Sequence, residues 1–484
     1  MRLFRRHKPE PASVPIGRRI LGLTFDGRPI CEPANAGSSL TFAAAGGGKT
    51  TCVSLPAIEC LLSDTTRALF INDVKDGEIA AQIGAMCQKY GRRFGVVDEA
   101  GTLGPSCPWR IELNPFGAAV EAFFNESSDL PFIIENIVHA LIDEPKDDAK
   151  NFYWREEPRQ YQEFGINALL DQSPRHCYPG GLHALMADPR TWNRAVEEAA
   201  EGIYAGLAAS ARQLLSMRAN NPEHYAQHLR AALTALKIFG SGPLAGAGRS
   251  PTHTHAQLID EHWIVCFVNE ARYAERQGAY YALHFLALMN AQLTGNAGRA
   301  DYILDEFCNA PLRDALNRVT IQRAFGARTH FIAQSRQDVV RKYGEKETAL
   351  LEENCTVKQW LKFSNFEEAE RVSKAMGEAL NVNRGIGLQS DRTSFSGNYS
   401  IGHQRILTAE ELMRLPANEQ IIHIAGVGFI HCLKFRQNQA APYCYDLADN
   451  PVEGGRLAPD PVVTLPIGRP DGPAGPTTPD GGAS

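Results

Sequence analysis

A lysine beside a threonine, behind a run of glycines, can hold a phosphate chain and the metal ion that travels with it. The stretch Ala43-Ala44-Ala45-Gly46-Gly47-Gly48-Lys49-Thr50 has that form. It fits G-x-x-x-x-G-K-[ST] except that Ala43 stands where the first glycine is expected. Small residues let successive backbone N–H groups curl round phosphates, and a helix starting there points its positive end at them. Ala45, Gly46, Gly47, Gly48, Lys49, Thr50 and Thr51 would then line a nucleotide cradle. In it Lys49 would neutralise the β- and γ-phosphates of ATP, and the Thr50 hydroxyl would hold Mg2+. Ala43 matters little if its backbone angles are ordinary.

The other half of such a site should be an apolar strand ending in an acid, and Tyr302-Ile303-Leu304-Asp305-Glu306 supplies one. Asp305 would hold the magnesium water shell, and Glu306 would polarise the attacking water. Alone, an apolar-Asp-Glu run also occurs where a strand ends beside a helix cap, so its weight comes from the pairing with Lys49-Thr50. Downstream lie Arg323 and Arg328, then Gln334 and Gln337. A ring ATPase needs a cation that reaches a neighbour's γ-phosphate and a polar side chain that senses hydrolysis. Arg323 is the candidate finger and Gln334 the candidate sensor. From spacing alone, a surface charge and an amide cap describe them equally well.

Positioning these residues requires an α/β framework, and the pattern of apolar runs supplies it. Apolar runs flanking Asp26-Gly27 read as a β-hairpin between Arg19 and Pro33. Ser39-Leu40-Thr41-Phe42 is a short strand into the glycines, and Val53, Ile58, Leu61 and Leu62 recur at helical spacing behind them. A strand over Ala68–Ile71, a helix over Ile79–Tyr90 and a strand over Phe94–Asp98 follow. Strands and helices alternating through short connections predict a mostly parallel sheet covered on both faces. From about Ala118 to Lys237 only helical periodicity appears, with Tyr161, Phe164, Ala168 and Leu169 on one face and Leu207, Ala211 and Leu214 on another. Trp154 and Trp192 read as packing residues of this all-helical insertion. The α/β pattern resumes with strands over 263–268, 300–304, 329–333, 357–361, 421–424 and 431–434, and a long helix over Gln277–Leu293. The resulting division is a basic tail 1–18, a nucleotide-binding domain in two parts, 19–117 and 238–438, an all-α insertion 118–237, and a Pro/Gly-rich tail 439–484 expected to be disordered.

With 484 residues the chain is too long for one ordinary core, and 44% hydrophobic with 21% charged residues is the composition of a folded protein. A net charge of -6 excludes a simple polyanion binder; a DNA-binding surface would have to be a local basic patch such as a pore loop. The 11 cysteines contain no C-x-x-C pair and read as reduced thiols. His253 and His255 form an H-x-H in a Ser/Thr/Pro-rich stretch, read as a solvated loop in preference to a metal site. Met1–Lys8 is basic but no apolar run follows, so it is not a secretory signal. No segment approaches the ~20 apolar residues that span a bilayer. The expected location is cytoplasmic, or at most peripheral at the inner membrane through partners.

Taken in order, these motifs resemble those of the type IV secretion coupling proteins, TraG/TraD-like ATPases related to the FtsK/HerA motors. Gly47-Gly48-Lys49 with Pro56 behind it looks like the family's P-loop and following helix. Asp73-Val74-Lys75-Asp76-Gly77-Glu78 is similar to its D-x-K-G-E element, though one residue longer, and is assigned no catalytic role. Leu113-Asn114-Pro115-Phe116 looks like the N-P segment that precedes the family's all-α domain. Leu304-Asp305-Glu306-Phe307 resembles its L-D-E-F Walker B. Arg323 through Gln334-Ser335-Arg336-Gln337 to Tyr343-Gly344 resembles R…Q-S-x-Q…Y-G, and Leu407-Thr408-Ala409-Glu410-Glu411-Leu412 a late L-T-x-x-E-L.

The resemblance implies a RecA-like P-loop ring motor, usually hexameric, using ATP and Mg2+. It would take single-stranded DNA, or a relaxase–DNA complex, to secretion-channel components, and effector proteins could enter through the all-α domain. It also implies that Arg323 acts across a subunit interface and that Gln334 couples hydrolysis to movement. Family members usually carry N-terminal transmembrane helices; here the P-loop begins about forty residues in, so a separate tether or a free cytoplasmic life is expected. Two further readings stay open: a DNA-processing ATPase of the FtsK/HerA kind outside secretion, and a nucleotide-binding receptor or scaffold with little turnover.

Overall fold

Apolar runs buried on both faces, such as Leu69-Phe70-Ile71 and Val265-Cys266-Phe267, form strands of the parallel part of an 11-stranded sheet. The computed structural model describes residues 14–44, 46–142, 153–293, 298–308, 316, 321–387, 396–452 and 463–464. Its strands are β1 (Ile20–Leu23), β2 (Pro29–Cys31), β3 (Ser39–Ala43), β4 (Arg67–Asp73), β5 (Phe94–Val97), β6 (Ile264–Val268), β7 (Arg299–Leu304), β8 (Ala327–Ala333), β9 (Val357–Lys362), β10 (Glu378–Gly387), β11 (Ser396–Arg405), β12 (Glu419–Ile424) and β13 (Gly428–Leu433), with a two-residue pair, β14 (Ala440–Ala441) and β15 (Val463–Thr464), beyond them. The large sheet runs β2-β1-β13-β12-β9-β3-β8-β7-β4-β6-β5. From β9 to β5 every neighbouring pair is parallel, and β12, β13, β1 and β2 extend the β9 edge antiparallel. The fold is α/β with a mostly parallel central sheet.

Helices α1 (Leu55–Leu62) and α2 (Glu78–Lys89) cover one face, burying Ile58, Leu61, Ile79 and Ile83 against Ile71, Cys266 and Ile303. The opposite face carries Phe70, Phe267 and Tyr302, and their cluster continues without a break into the helices of the insertion. Those are α3 (Gly117–Phe124), α4 (Leu130–Leu141), α5 (Tyr153–Gln172), α6 (Pro179–Ala187), α7 (Pro189–Ala200), α8 (Ala205–Asn220) and α9 (Pro222–Ala235). Asn114 marks the departure point: its amide donates to the Cys177 carbonyl at 2.8 Å and accepts from the Phe116 N–H at 3.0 Å. The chain returns alongside, with the Thr252 N–H on the Glu112 carbonyl at 2.9 Å. Then α10 (His255–Asp260) and α11 (Ala274–Leu293) lead back into the sheet region.

Three readings of the sequence need correction, and one pair of strands was not foreseen. Trp192 is fully buried, its Nε1 donating to the Tyr225 hydroxyl at 2.8 Å, but Trp154 is 46% exposed, its ring beside His224 and His228. His255 is not in a solvated loop: a Thr254–Gln257 capping box starts α10 and buries it, with Nε2 3.0 Å from His284 Nδ1. Disorder does not begin at 439. Tyr443 and Asn450 are buried, and Phe435 meets Tyr443 edge to face at 5.3 Å. Two aromatic anchors close together, with Gln437 donating to Glu59 and Asn450 to Glu78, tie down 437–452 despite the falling apolar content. The remainder of the expected tail, apart from 463–464, lies outside the described residues. Lastly, β10 and β11 form a long antiparallel pair not foreseen from the sequence: Leu380, Val382 and Ile386 alternate, as do Tyr399 and Ile401, but glycines and asparagines dilute the strand signal.

Candidate nucleotide site

The P-loop leaves the C-terminal end of β3. Ala43, fully buried in the strand, keeps ordinary negative φ, so the missing first glycine has no conformational consequence. The turn itself needs glycine: Gly46 and Gly48 have φ of 71° and 89°. The Gly47 N–H closes on the Ala44 carbonyl at 2.9 Å, and the Cys52 N–H on the Gly48 carbonyl at 2.8 Å. Lys49 caps a π-helical turn, Thr50–Ser54, that runs into α1 with Pro56 in its first turn, where a missing N–H is harmless. Thr50 is buried in that turn, and the Thr51 hydroxyl lies 3.5 Å from the Gly48 carbonyl. Ala45 lies outside the described residues.

Asp305 and Glu306 follow β7, which is separated from β3 only by β8, so the two strand ends sit about 10 Å apart. That spacing lets the long Lys49 side chain reach across. Its Nζ forms an ion pair with Glu306 Oε1 at 2.9 Å, 257 positions away in the chain. Glu306 itself has φ of 47°, a left-handed conformation that costs energy for a residue with a β-carbon and recurs at functional turns. Phe307 stacks on Tyr343 at 5.5 Å, and the Tyr343 hydroxyl donates to its carbonyl at 3.3 Å. The Tyr-Gly pair downstream therefore helps to hold the turn that carries Glu306.

Asp305 is 2% exposed, and its Oδ1 accepts no hydrogen bond among the described residues. Burial pushes its carboxyl up to about 6, although Lys75 and Lys49 pull the other way. A buried carboxyl oxygen without a partner among the described residues, in the field of Lys75 and Lys49, fits a Mg2+-nucleotide site: a hard oxygen donor and compensating charge are both present.

Sequence reasoning set aside the Asp73–Glu78 element, and the structure brings it into the site. The extra residue is absorbed by a left-handed turn, Asp76 and Gly77 with φ of 53° and 79°. Asp76 is turned outward to accept the Ala271 N–H at 3.0 Å. Asp73 ends β4 beside β7 and accepts the Ile79 and Ala80 N–H groups at 2.8 and 2.9 Å, seating the start of α2. Burial pushes its carboxyl up to about 7. Burial opposes the charge on Lys75, yet the surrounding carboxylates of Asp305, Glu78 and Glu306 raise its pKa. Glu78 accepts from the buried Asn450 at 2.8 Å, so the C-terminal segment braces this cluster. The signal was the Lys-x-x-Glu spacing, which brings both side chains together at 3.8 Å.

The remaining candidates lie at different edges. Gln334 is exposed and follows β8, the strand between the P-loop strand and the Asp305 strand. It borders a cavity of about 170 Å³ with Arg336, Trp360 and Lys362. Arg323 lies before β8, at the N-terminal ends of the strands, with Nη2 on the Asn35 carbonyl at 3.3 Å. The length of β8 is about 20 Å, so Arg323 does not join the Lys49 cradle of its own subunit. Arg328 is occupied structurally, clamped on Asp301 and Glu32 at 2.6 and 3.1 Å. The late Leu407–Leu412 motif is a capping box: the Thr408 hydroxyl accepts from the Glu411 N–H, and Glu411 accepts from the Thr408 N–H at 2.7 Å.

The family model described as the TraM recognition site of TraD and TraG matches residues 299–417. No curated protein matches the chain. The unbound monoclinic form of the bacterial conjugative coupling protein TrwBdeltaN70 is similar with a TM-score of 0.63 at 14% identity, covering 89% of this chain and 96% of that one. TrwB in complex with ADP and Mg2+ has a TM-score of 0.60 at 15% identity, covering 88% and 97%. VirB4 of Thermoanaerobacter pseudethanolicus has a TM-score of 0.51 at 15% identity, covering 89% and 99%. No helix among the described residues is long and apolar enough to cross a membrane. The chain therefore has the fold of the conjugative coupling protein TrwB and matches, over 299–417, the model of the TraM recognition site of TraD and TraG, in line with the resemblance to type IV secretion coupling proteins.

Proposed function

We propose that the chain is an ATP-hydrolysing coupling protein, which recruits DNA or a relaxase-bound nucleoprotein and drives it toward a type IV secretion channel. The observation that carries the reading is the Lys49–Glu306 pair at 2.9 Å, which unites the glycine cradle with the acid end of β7. The Thr50 hydroxyl and Asp305 would hold Mg2+, which screens the phosphate charge when bound. Lys49 exchanges its carboxylate partner for phosphate oxygens, releasing Glu306 to take a proton from the attacking water. Lys75 compensates the negative charge of Asp305 and Glu306 from the far side.

Arg323, exposed at the opposite edge of the sheet, suits action on a neighbouring subunit's γ-phosphate in a ring, hexameric by the family resemblance. Gln334, between the two halves of the site, suits sensing of that phosphate. TrwB was solved with ADP and Mg2+, and the matched segment is a TraM recognition site in TraD and TraG. Both support a nucleotide-driven role with relaxosome-side and secretion-channel partners, with effector proteins engaging the all-α helices. The test is ATP turnover with and without single-stranded DNA, beside a mass measurement with a non-hydrolysable analogue. Turnover that rises with DNA in an assembled ring supports the motor. ATP binding without turnover in either condition would instead make the chain a receptor.

A further inference from the structure

The chain approaches the P-loop once more just after β13. Beyond β13, Lys434 and Arg436 point one way and Phe435, fully buried, the other. Lys434 is 8% exposed, and its Nζ donates to the Ala417 carbonyl at 2.9 Å and to the Gly47 carbonyl at 3.4 Å. Arg436 donates through Nη2 to the same Ala417 carbonyl at 3.3 Å. Its Nη1 lies 3.7 Å from where a β-carbon on Gly48 would stand. Among the described residues no carboxylate pairs with either cation. Burial, with Arg436 beside it, lowers the Lys434 pKa.

A half-buried guanidinium held by a carbonyl, with no counter-anion, beside a turn of N–H groups built for phosphate, is short of one partner. Its planar donors match phosphate oxygens better than a point charge would. We propose that Arg436 contacts the phosphates of a nucleoside di- or triphosphate in its own subunit, from the Gly48–Cys52 flank of the cradle. Lys434 is a positioning residue that ties the Gly47 carbonyl to the Ala417 loop, keeping the neighbouring N–H groups turned inward. The proposal rests on the nucleotide reading above and adds a cation to it that no P-loop motif contains. It also explains why a segment near the end of the chain folds back over the first domain.

The test is equilibrium binding of the fluorescent analogues mant-ATP and mant-ADP to the full chain, with Arg436→Ala, Arg436→Lys and Lys49→Ala. Loss of one charge-assisted contact should weaken both nucleotides about tenfold in Arg436→Ala, with part of the loss recovered in Arg436→Lys. The nucleotide-free thermal midpoint should stay at the parental value. An Arg436→Ala affinity within twofold of the parent, while Lys49→Ala loses binding, overturns this assignment alone. A weakened affinity accompanied by a lowered nucleotide-free midpoint overturns it too, since Arg436 would then only support the loop. If the parent chain binds neither analogue, the nucleotide reading itself fails.

Discussion

Replacing Glu306 by glutamine should produce a protein that binds ATP more tightly than the parent while turning it over far more slowly. The structure explains why the two effects go together. Without nucleotide, Lys49 is committed to Glu306 at 2.9 Å, with the two side chains only 6% and 14% exposed. Phosphate binding must break that pair. At an effective dielectric of about 20, unit charges at this separation attract by roughly 6 kcal/mol. Most of this is returned when the freed carboxylate is hydrated and the lysine meets phosphate. A net cost of about 1.4 kcal/mol is reasonable for a largely buried pair, and that is a factor of about ten in Kd. Glutamine keeps the shape but not the charge, so it removes the competition for Lys49 together with the general base. Fluorescent-nucleotide titration should therefore show about tenfold tighter ATP binding, and a coupled assay should show turnover reduced by about a hundredfold or more. Equal or weaker ATP affinity would refute the idea that the pair must open for nucleotide. Parental turnover would refute the assignment of Glu306 as the base.

Other consequences follow from the same geometry. Arg323→Ala should turn over normally as separated subunits but slowly when assembled, and mixing it with Lys49→Ala subunits should restore activity, because each supplies what the other lacks; no recovery on mixing argues against a finger acting between subunits. Despite burial, Arg328 and Arg67 hold the Asp301 carboxyl well below the usual range. Asp301→Asn leaves those guanidiniums without their anion and should cost about 3–5 kcal/mol, read as a lower midpoint in thermal or denaturant unfolding; a loss below about 1 kcal/mol would mean the clamp is not structural. Asp73 is the reverse case, its carboxyl pushed up to about 7 by burial. Because that value lies above the unfolded one, the folded chain holds a proton that the unfolded chain releases, so nucleotide-free stability falls as pH rises from about 4 to about 7. Asp73→Asn should flatten that decline in midpoints measured across the window, and an unchanged slope would place the titration elsewhere.

What could be read in advance was local. Glycines with a following Lys-Thr, an apolar run ending in Asp-Glu, and helical periodicity across the insertion each concern neighbours in the chain, whose preferred angles and faces are set by near contacts. The long pair β10–β11 escaped because glycines and asparagines, poor strand formers, interrupt the alternation of Leu380, Val382 and Ile386. The order of 437–452 escaped because few apolar side chains suffice when Tyr443 and Phe435 meet.

The amino-acid order by itself determined which side chains could handle a phosphate and where most strands of the large sheet would lie. Tertiary structure alone decided that β8 lies between β3 and β7, which sets Lys49 within reach of Glu306, and that Arg323 faces the other edge. It alone brought Lys75, Glu78 and Asn450 to the acid cluster, and Arg436 to Gly48. The physical reason is that strand order in a parallel sheet is chosen by burial on two faces and by crossover connections. Those are properties of the whole packed chain, and no window of sequence contains them.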